Sequence, residues 1–448
     1  MKILKNTKLF LLLFLFITTK NISAGAEYNP TFVLQTDYGN FRLKEPEASV
    51  VKALLESKPV QRLNYIYQYG ITEQTVLTDG IDTEGNLVEG LIFNQENING
   101  PYTRAKHSWN VFALLRRMGR PFTEQIAGAL HDLQHTAGSH LGDLLFNDSR
   151  SKKCYHDENI QNFLEEKDID QIINFYTPCF KPEQKFNFFN CCPDNELQHA
   201  LRNEDHDKSS KDRDVNADRL EYILTGARYA GLITKTEIEN DIMRQIGFDK
   251  RRGIWFFKTV EAATRFGILS LDLTEINDGS AWNAIIYHYA KLALNRANSI
   301  YLISKEDILY NLTDDQMWSK LVNSRDAIIL NLVYKILNFR DSYCRRQNPW
   351  ELNFFQYYEH EEIEALDPTR SPTPSFKVSV TVLPKFRGIN PTVKTYNDNG
   401  CYNFKRLTEI NREFRSRYIQ TKYTLESGWQ ILLDSDNPLA KEPFLHGC

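Results

Sequence analysis

The sequence predicts a mostly α-helical protein with a small mixed α/β region at its C-terminal end. Apolar residues recur at helical spacing through most of the chain from Ser49 to residue 338. Four of the ten histidines fall between positions 107 and 140, among segments of that helical pattern. Strict apolar–polar alternation is clear over Phe376–Val382, where Phe376, Val378, Val380 and Val382 alternate with Lys377, Ser379 and Thr381.

Taken in order, the first residues are a basic stretch ending at Lys8, an apolar run from Leu9 to Ile17, and the small residues Ala24, Gly25 and Ala26. That order predicts a secretory signal peptide over 1–26 and a secreted or periplasmic protein. The apolar run is short of the ~18 residues that a membrane span needs. No later segment reaches that length, so no transmembrane segment is expected after the signal is removed. From Ser49 a helix is expected with Val50, Val51, Leu54 and Leu55 on one face, restarting at Pro59. Residues 74–94 read as strands around Asp79-Gly80 and Glu84-Gly85-Asn86 turns. An amphipathic helix is expected from His107 to Met118, stopped by Gly119. A second is expected from an N-cap at Thr123 through His135, stopped by Gly138. Further helices are expected at 158–176, 214–230, 234–245, 255–270, 280–303, 305–312 and 325–338. A polar, proline-bearing stretch over 341–374 reads as a linker. The resulting division is a helical domain over 27–340, the linker, and a C-terminal α/β region over 375–448 of unassigned role.

Composition excludes little but bounds much. With 42% hydrophobic and 25% charged residues the chain can bury a core, and a net charge of −4 gives no clear nucleic-acid footprint. The aromatic stretches Trp255–Phe257 and Trp350–Tyr358 read as core or interface, and the charged run Glu204–Asp214 as a solvated loop. Seven cysteines show no Cys-x-x-Cys spacing, so a cysteine zinc site is not expected; the odd count leaves one thiol free or paired between chains. A homo-oligomer stays open.

The chemistry concentrates in Arg104, His107, His131, Asp132, His135, His140 and Asp143, with Asp218 and Tyr222 further on. If His131–His135 are helical, His131 and His135 are four apart and Asp132 and His135 three apart, on neighbouring faces. His107 and Asp218 from other helices would complete a ligand set of two imidazoles and two carboxylates. Such a set suits one divalent ion of iron, manganese, zinc or magnesium. An ion of that kind acidifies water and polarises phosphoryl oxygens. Nearby His135, His140 and His156 are candidates to protonate a leaving oxygen, and the planar fork of Arg104 suits a phosphate.

These residues resemble the HD superfamily of metal-dependent phosphohydrolases, closest to its deoxynucleoside triphosphate triphosphohydrolase branch. That family's fold is a helical bundle with ligands in the order His…His-Asp…Asp, which falls here on His107, His131, Asp132 and Asp218. The segment Pro59–Gly70 is similar to the helix before the first ligand, which puts Gln68 near a nucleoside. Arg104-x-x-His107 and the run from His131 through His135 and His140 to Asp143 keep the family spacing, and Tyr155–Glu158, containing His156, is similar to the next motif. Asp218 with Tyr222 matches the last. The resemblance covers residues 49–232 and implies catalytic roles for His135, His140, His156 and Asp143. It implies substrate contacts for Arg104, Tyr222 and Gln68, and a nucleotide or small phosphoester as substrate. Two departures stand out: Gly226 and Ala227 occupy the places of a family Arg-Asp pair, and Gln134 replaces a glycine between the histidines. The alternative expectation is an exported ligand-binding or effector protein that keeps the scaffold without turnover.

Overall fold

The computed structural model describes residues 32–72, 80–81, 87–88, 101–146, 163–164, 169–176, 214–279, 281–344, 376–382, 386–427 and 429–434. The first element is a tight antiparallel hairpin, β1 (Phe32–Thr36) and β2 (Gly39–Leu43), closed by Thr36 opposite Gly39. Helix α1 (Glu47–Glu56) buries Ala48, Val50, Val51 and Leu54, the face that the apolar spacing predicts. Pro59 lies in the first turn of the short α2 (Lys58–Arg62), where its missing N–H costs nothing. Two short strands, β3 (Gly80–Ile81) and β4 (Leu87–Val88), pair antiparallel inside the region expected to hold strands.

Helix α3 (Arg104–Arg117) starts at Thr103, whose hydroxyl accepts from the Lys106 N–H at 3.2 Å. Eleven of its fourteen residues are buried, so the helix expected over His107–Met118 starts three residues earlier and runs through the interior with little exposed face. Trp109 and Phe112 pack into a core with α1, β1, β2 and α4 (Phe122–Leu130). Val111, Leu114 and Leu115 pack into a second core on the opposite side. At about 1.5–3 kcal/mol for each fully buried large apolar side chain, this double burial is a large stabilising contribution. Of the helix's buried polar residues Arg104, His107 and Asn110 are partnered as described below, and the Ser108 hydroxyl has no hydrogen-bond partner among the described residues. Helix α4 lies close against α3 because Gly128 has no side chain; a Cβ there would stand 2.6 Å from Leu115 Cδ1.

Helix α4 ends at Leu130, which corrects the expectation of a helix through His135. Thr123 is inside it, and Pro121 holds the cap position without a side-chain bond. His131 Nδ1 bonds the Gly128 carbonyl at 2.8 Å, competing for an acceptor that the next helical N–H would need. The chain continues through i→i−3 turns (Leu133 N–H to Leu130 O, His135 N–H to Asp132 O). The freed His135 carbonyl is taken by Arg62 Nη1 at 2.8 Å. Gly138 and Ser139 then adopt positive φ of 76° and 59°, and α5 (Leu141–Phe146) follows.

Helix α6 (Ile169–Tyr176) packs on α1. Helix α7 (Ala217–Tyr229) is capped by Asn216, which accepts from the Arg219 N–H at 2.7 Å. Residues 235–245 form a turn of α-helix followed by wider and tighter turns. Where a helix over 255–270 is expected, the chain forms strands β5 (Ile246–Asp249) and β6 (Ile254–Phe257) and only then α8 (Val260–Leu273), capped by Thr259. The run Trp255-Phe256-Phe257 is rich in β-forming aromatics, and alternation puts Trp255 and Phe257 in the core. Helices α9 (Ala281–Ser299), α10 (Asp314–Val322) and α11 (Ala327–Cys344) build a third core with Leu141 of α5. Helix α11 extends past the expected linker start at 341, to Cys344.

In the C-terminal segment, β7 (Phe376–Val382) is the expected strand. Strands β8 (Thr392–Tyr396) and β9 (Tyr402–Arg406) extend the β5–β6 hairpin into a four-stranded sheet, β6 and β8 running parallel at Phe257 and Val393. Helices α12 (Leu407–Ile410) and α13 (Arg412–Ser427) follow, and β10 (Trp429–Asp434) pairs back onto β7. Ile389, Val393, Leu407, Phe414 and Tyr418 share one core with Leu114, Leu220 and Phe266, so residues 386–427 are packed on the helices that carry the site. The signal-like residues 1–26, His156, the charged run Glu204–Arg213 and Trp350–Tyr358 lie outside the described residues. No helix among the described residues is long and apolar enough to cross a membrane. Cys401 is a free, exposed thiol.

Candidate metal centre

Four side chains converge from α3, the turn after α4, and the first turn of α7. His107 Nε2 stands 3.2 Å from His131 Nε2, 3.6 Å from Asp132 Oδ2 and 3.1 Å from Asp218 Oδ1. His131 Nε2 is 3.3 Å from Asp132 Oδ1 and 3.6 Å from Asp218 Oδ1. Donor atoms bonded to one ion at ~2.1 Å stand roughly 3.0–3.5 Å apart, so His107, His131 and Asp132 can share one coordination shell, with Asp218 beside the two histidines at its edge. His107, His131 and Asp132 are buried, whereas the Asp218 side chain is 30% exposed and marks the solvent side of the site.

The outer contacts fix which nitrogens face inward. His107 Nδ1 donates to Glu221, a fully buried carboxylate that also accepts from the Tyr102 hydroxyl, from Asn110 Nδ2 at 2.8 Å and from Thr225 Oγ1 at 2.6 Å. His131 Nδ1 donates to the Gly128 carbonyl. With both Nδ1 atoms protonated, each Nε2 presents a lone pair, and the two lone pairs face each other at 3.2 Å. That arrangement is repulsive unless a positive charge sits between them. Burial alone lowers the proton affinity of His107, yet Glu221, Asp218 and Asp132 together push it up to about 10. Asp132 and Asp218 resist burial and stay well below the ordinary carboxylate range, Asp132 through Arg104 and its neighbouring histidines and Asp218 through His107 and His131. A field that holds carboxylates ionised and attracts a proton to buried imidazole attracts a divalent cation more strongly. The donor set therefore fits the expected metal. The N-terminal end of α7 adds to the stability of the Asp218 carboxylate.

The other expected site residues fall into three groups. Gln68, Arg104, His135, His140 and Tyr222 are placed around the ligands. His135 Nε2 lies 3.2 Å from Asp132 Oδ1, and its ring meets His140 edge-on with centroids 5.0 Å apart. Tyr222 is buried one turn after Asp218 on α7. The side-chain oxygen of Gln68 is buried and has no hydrogen-bond partner among the described residues. Arg104 is 3% exposed, and its guanidinium bonds Asp132 at 2.6 Å, Ser139 Oγ and the Gln68 carbonyl. It holds a metal-facing carboxylate and the left-handed Ser139 in place, behind the ligands. Asp143 is on α5 with its side chain outside the described residues, as is all of His156.

Three residues escaped the sequence reading. Glu221 lies three positions after Asp218 on one helix face, a signal the spacing did offer. Asp314, from α10, accepts from the Gly138 N–H at 2.7 Å and the Tyr67 N–H at 3.0 Å, and so clamps the loop between His135 and His140. Arg387, from the C-terminal segment, reaches His140 Nε2 at 3.1 Å. Gly226, where the family pattern has arginine, lets Tyr69 pack on α7; a Cβ there would stand 2.1 Å from the Tyr69 hydroxyl.

No protein-family profile matches the chain. An uncharacterized Bacillus subtilis protein, YdhJ, is 28% identical over 292 residues, covering 64% of this chain and 75% of that protein. A protein of Cordyceps militaris named as a metal-dependent phosphohydrolase is 29% identical over 145 residues, covering 32% of this chain; the chain spans only 35% of that relative. Among solved structures, a hypothetical protein from Aquifex aeolicus matches 90% of this chain and 96% of its own, at a TM-score of 0.55 and 16% identity. A phosphohydrolase from Bacteroides thetaiotaomicron matches 90% and 99%, at 0.52 and 14%. At those identities the two structures share the fold. A metal-dependent phosphohydrolase is thus among the sequence relatives of a chain whose own residues assemble a His-His-Asp metal-binding group.

Proposed function

We propose that this protein is an exported, HD-type, metal-dependent phosphohydrolase acting on nucleotides or related small phosphoesters. The observation that carries the reading is the pair of inward-facing Nε2 atoms of His107 and His131, 3.2 Å apart and flanked by Asp132 and Asp218. A divalent ion between these two nitrogens and the flanking carboxylates would satisfy all of these groups at once. When bound there, a divalent ion supplies a Lewis acid for phosphoryl oxygens and brings water into its nucleophilic range near neutral pH.

The chain's own residues supply the rest. Glu221 and the Gly128 carbonyl hold the two imidazoles in the ligating tautomer, and Arg104 holds Asp132. His135 and His140, beside the ligands, are the imidazoles in position to hand a proton to a leaving oxygen. The buried, unpartnered Gln68 Oε1 is an acceptor suited to a hydroxyl or amino group of the substrate. Nucleotides are favoured because the motifs resemble the triphosphohydrolase branch. Gly226 and Ala227, in place of its Arg-Asp pair, weigh against the triphosphohydrolase reaction proper. Export rests on the leader-like residues 1–26.

Metal analysis of the protein purified from residue 27 is the first test. Turnover with Mn²⁺, Fe²⁺, Zn²⁺ and Mg²⁺ against nucleotides, generic phosphoesters and single-stranded nucleic acid follows. The expected result is bound metal and product release that vanishes in Asp132→Ala and Asp218→Ala. Nucleotide binding with no product under any metal would favour a ligand-binding module instead.

A further inference from the structure

The geometry points to Arg387 as the residue that grips the substrate's phosphate, so that the C-terminal segment completes the active site. This rests on the phosphohydrolase reading above and deepens it. A side-chain cation beside the metal stabilises the anionic phosphoryl oxygens of a phosphoester, and the Arg104 guanidinium is already bonded to Asp132 and Ser139. Residue 226, one turn beyond Tyr222 on α7, is a glycine closed off by Tyr69 and supplies no charge. Arg387 supplies the charge from elsewhere in the chain. Its Nη2 lies 3.1 Å from His140 Nε2, and its guanidinium stands 5.7 Å from the centroid of the Tyr222 ring. His140 in turn meets His135, which contacts Asp132, so Arg387 continues one row of nitrogen-bearing side chains leading out from a metal-facing carboxylate.

The placement is preorganised. Ile389 and Asn390 are fully buried, and the Ile389 N–H donates to Ser270 Oγ at 3.0 Å. Strand β8 is pinned to β6, and Thr392 and Arg406 both reach Asp214 (3.0 and 2.7 Å), four residues before Asp218. The guanidinium is largely enclosed, with a side chain 16% exposed and an Asp278 contact made by Nε at 3.5 Å. A planar fork in that setting suits a phosphate better than a lysine would.

The test uses full-length mature protein loaded with Mn²⁺, as wild type, Arg387→Ala and Arg387→Lys. Inorganic phosphate and tripolyphosphate binding is read by calorimetry, and turnover by the split between KM and kcat. Arg387→Ala is expected to keep its metal content, weaken phosphate binding by about 10-fold or more and raise KM more than it lowers kcat. Arg387→Lys should recover part of the loss, and added guanidinium should partly rescue the alanine variant. If Arg387→Ala binds phosphate like wild type, or guanidinium rescues nothing, the inference is wrong. If wild type takes up neither metal nor phosphate, the underlying phosphohydrolase reading fails first. Should the alanine variant not fold, Arg387→Lys with unchanged phosphate affinity and KM overturns the inference alone.

Discussion

The Nδ1 of His107 is held by Glu221, and that contact leaves Nε2 turned towards His131, the orientation a metal ligand needs. Glu221 is itself fixed by Asn110, Thr225 and Tyr102, so the carboxylate cannot rotate away. Replacing it by glutamine keeps the shape but removes the charge that increases the basicity of the imidazole. We expect Glu221→Gln to fold and to lose metal affinity by about 10–100-fold, measured by competition with a chelator of known strength. Unchanged affinity would show that the contact is structural only.

The two acidic ligands should differ sharply in what they contribute to the fold. Asp132 is buried and paired with a buried arginine, so Asp132→Ala leaves the Arg104 charge uncompensated. Breaking such a pair costs about 3–5 kcal/mol. Asp218 is 30% exposed and faces imidazoles, which can release a proton when their partner is lost, so its removal should cost less than that of Asp132. Urea denaturation of the metal-free variants separates them, although both should lose metal and turnover. Equal destabilisation would contradict the assignment of Arg104 as the support of Asp132.

How much of this was legible in the sequence follows from how local each cause is. His107, His131, Asp132 and Asp218 could be read because their side-chain types carry the chemistry and their flanking motifs are short-range. The end of α4 at Leu130 could not, because a side chain, His131, takes a backbone carbonyl, and apolar periodicity does not register that competition. Trp255-Phe256-Phe257 fits a buried strand as well as a helix; only pairing with β5 and β8 decides. Arg387 reaches His140 across 247 residues of chain, through strand pairing that no local pattern encodes. The Arg104 contacts with Ser139 and the Gln68 carbonyl were not legible either, since both partners arrive from distant turns.

Gly226 illustrates how a departure from a family pattern can be a packing decision. Tyr69 occupies the space that a side chain at 226 would need, with Leu273 Cδ2 a further 2.9 Å contact. Gly226→Ala should therefore destabilise by about 1–3 kcal/mol through overpacking, despite the better helix propensity of alanine. Thermal unfolding of the variant checks this. A gain in stability would mean that Tyr69 moves freely and that the site could accept a larger residue there.

Asp314 links stability to pH. Burial pushes its carboxyl up to about 7, against the Gly138 and Tyr67 N–H groups and Arg62, which hold it down. Because the folded value lies above the unfolded one, Asp314 favours the folded state most at low pH. That contribution declines as pH rises from about 4 to about 7 and is constant above. Asparagine at 314 does not titrate, so the stability difference between wild type and Asp314→Asn should change across that window, with wild type losing ground as pH rises. The change is bounded at about 4 kcal/mol, from three pKa units at ~1.4 kcal/mol each. Asparagine also replaces one of two acceptors with a donor facing a backbone N–H, so above pH 7 the variant should still show a looser His135–His140 loop, read by amide exchange at Gly138. A pH-independent difference from 4 to 8 would mean that Asp314 stays ionised throughout, and that the loop clamp carries its charge at no cost.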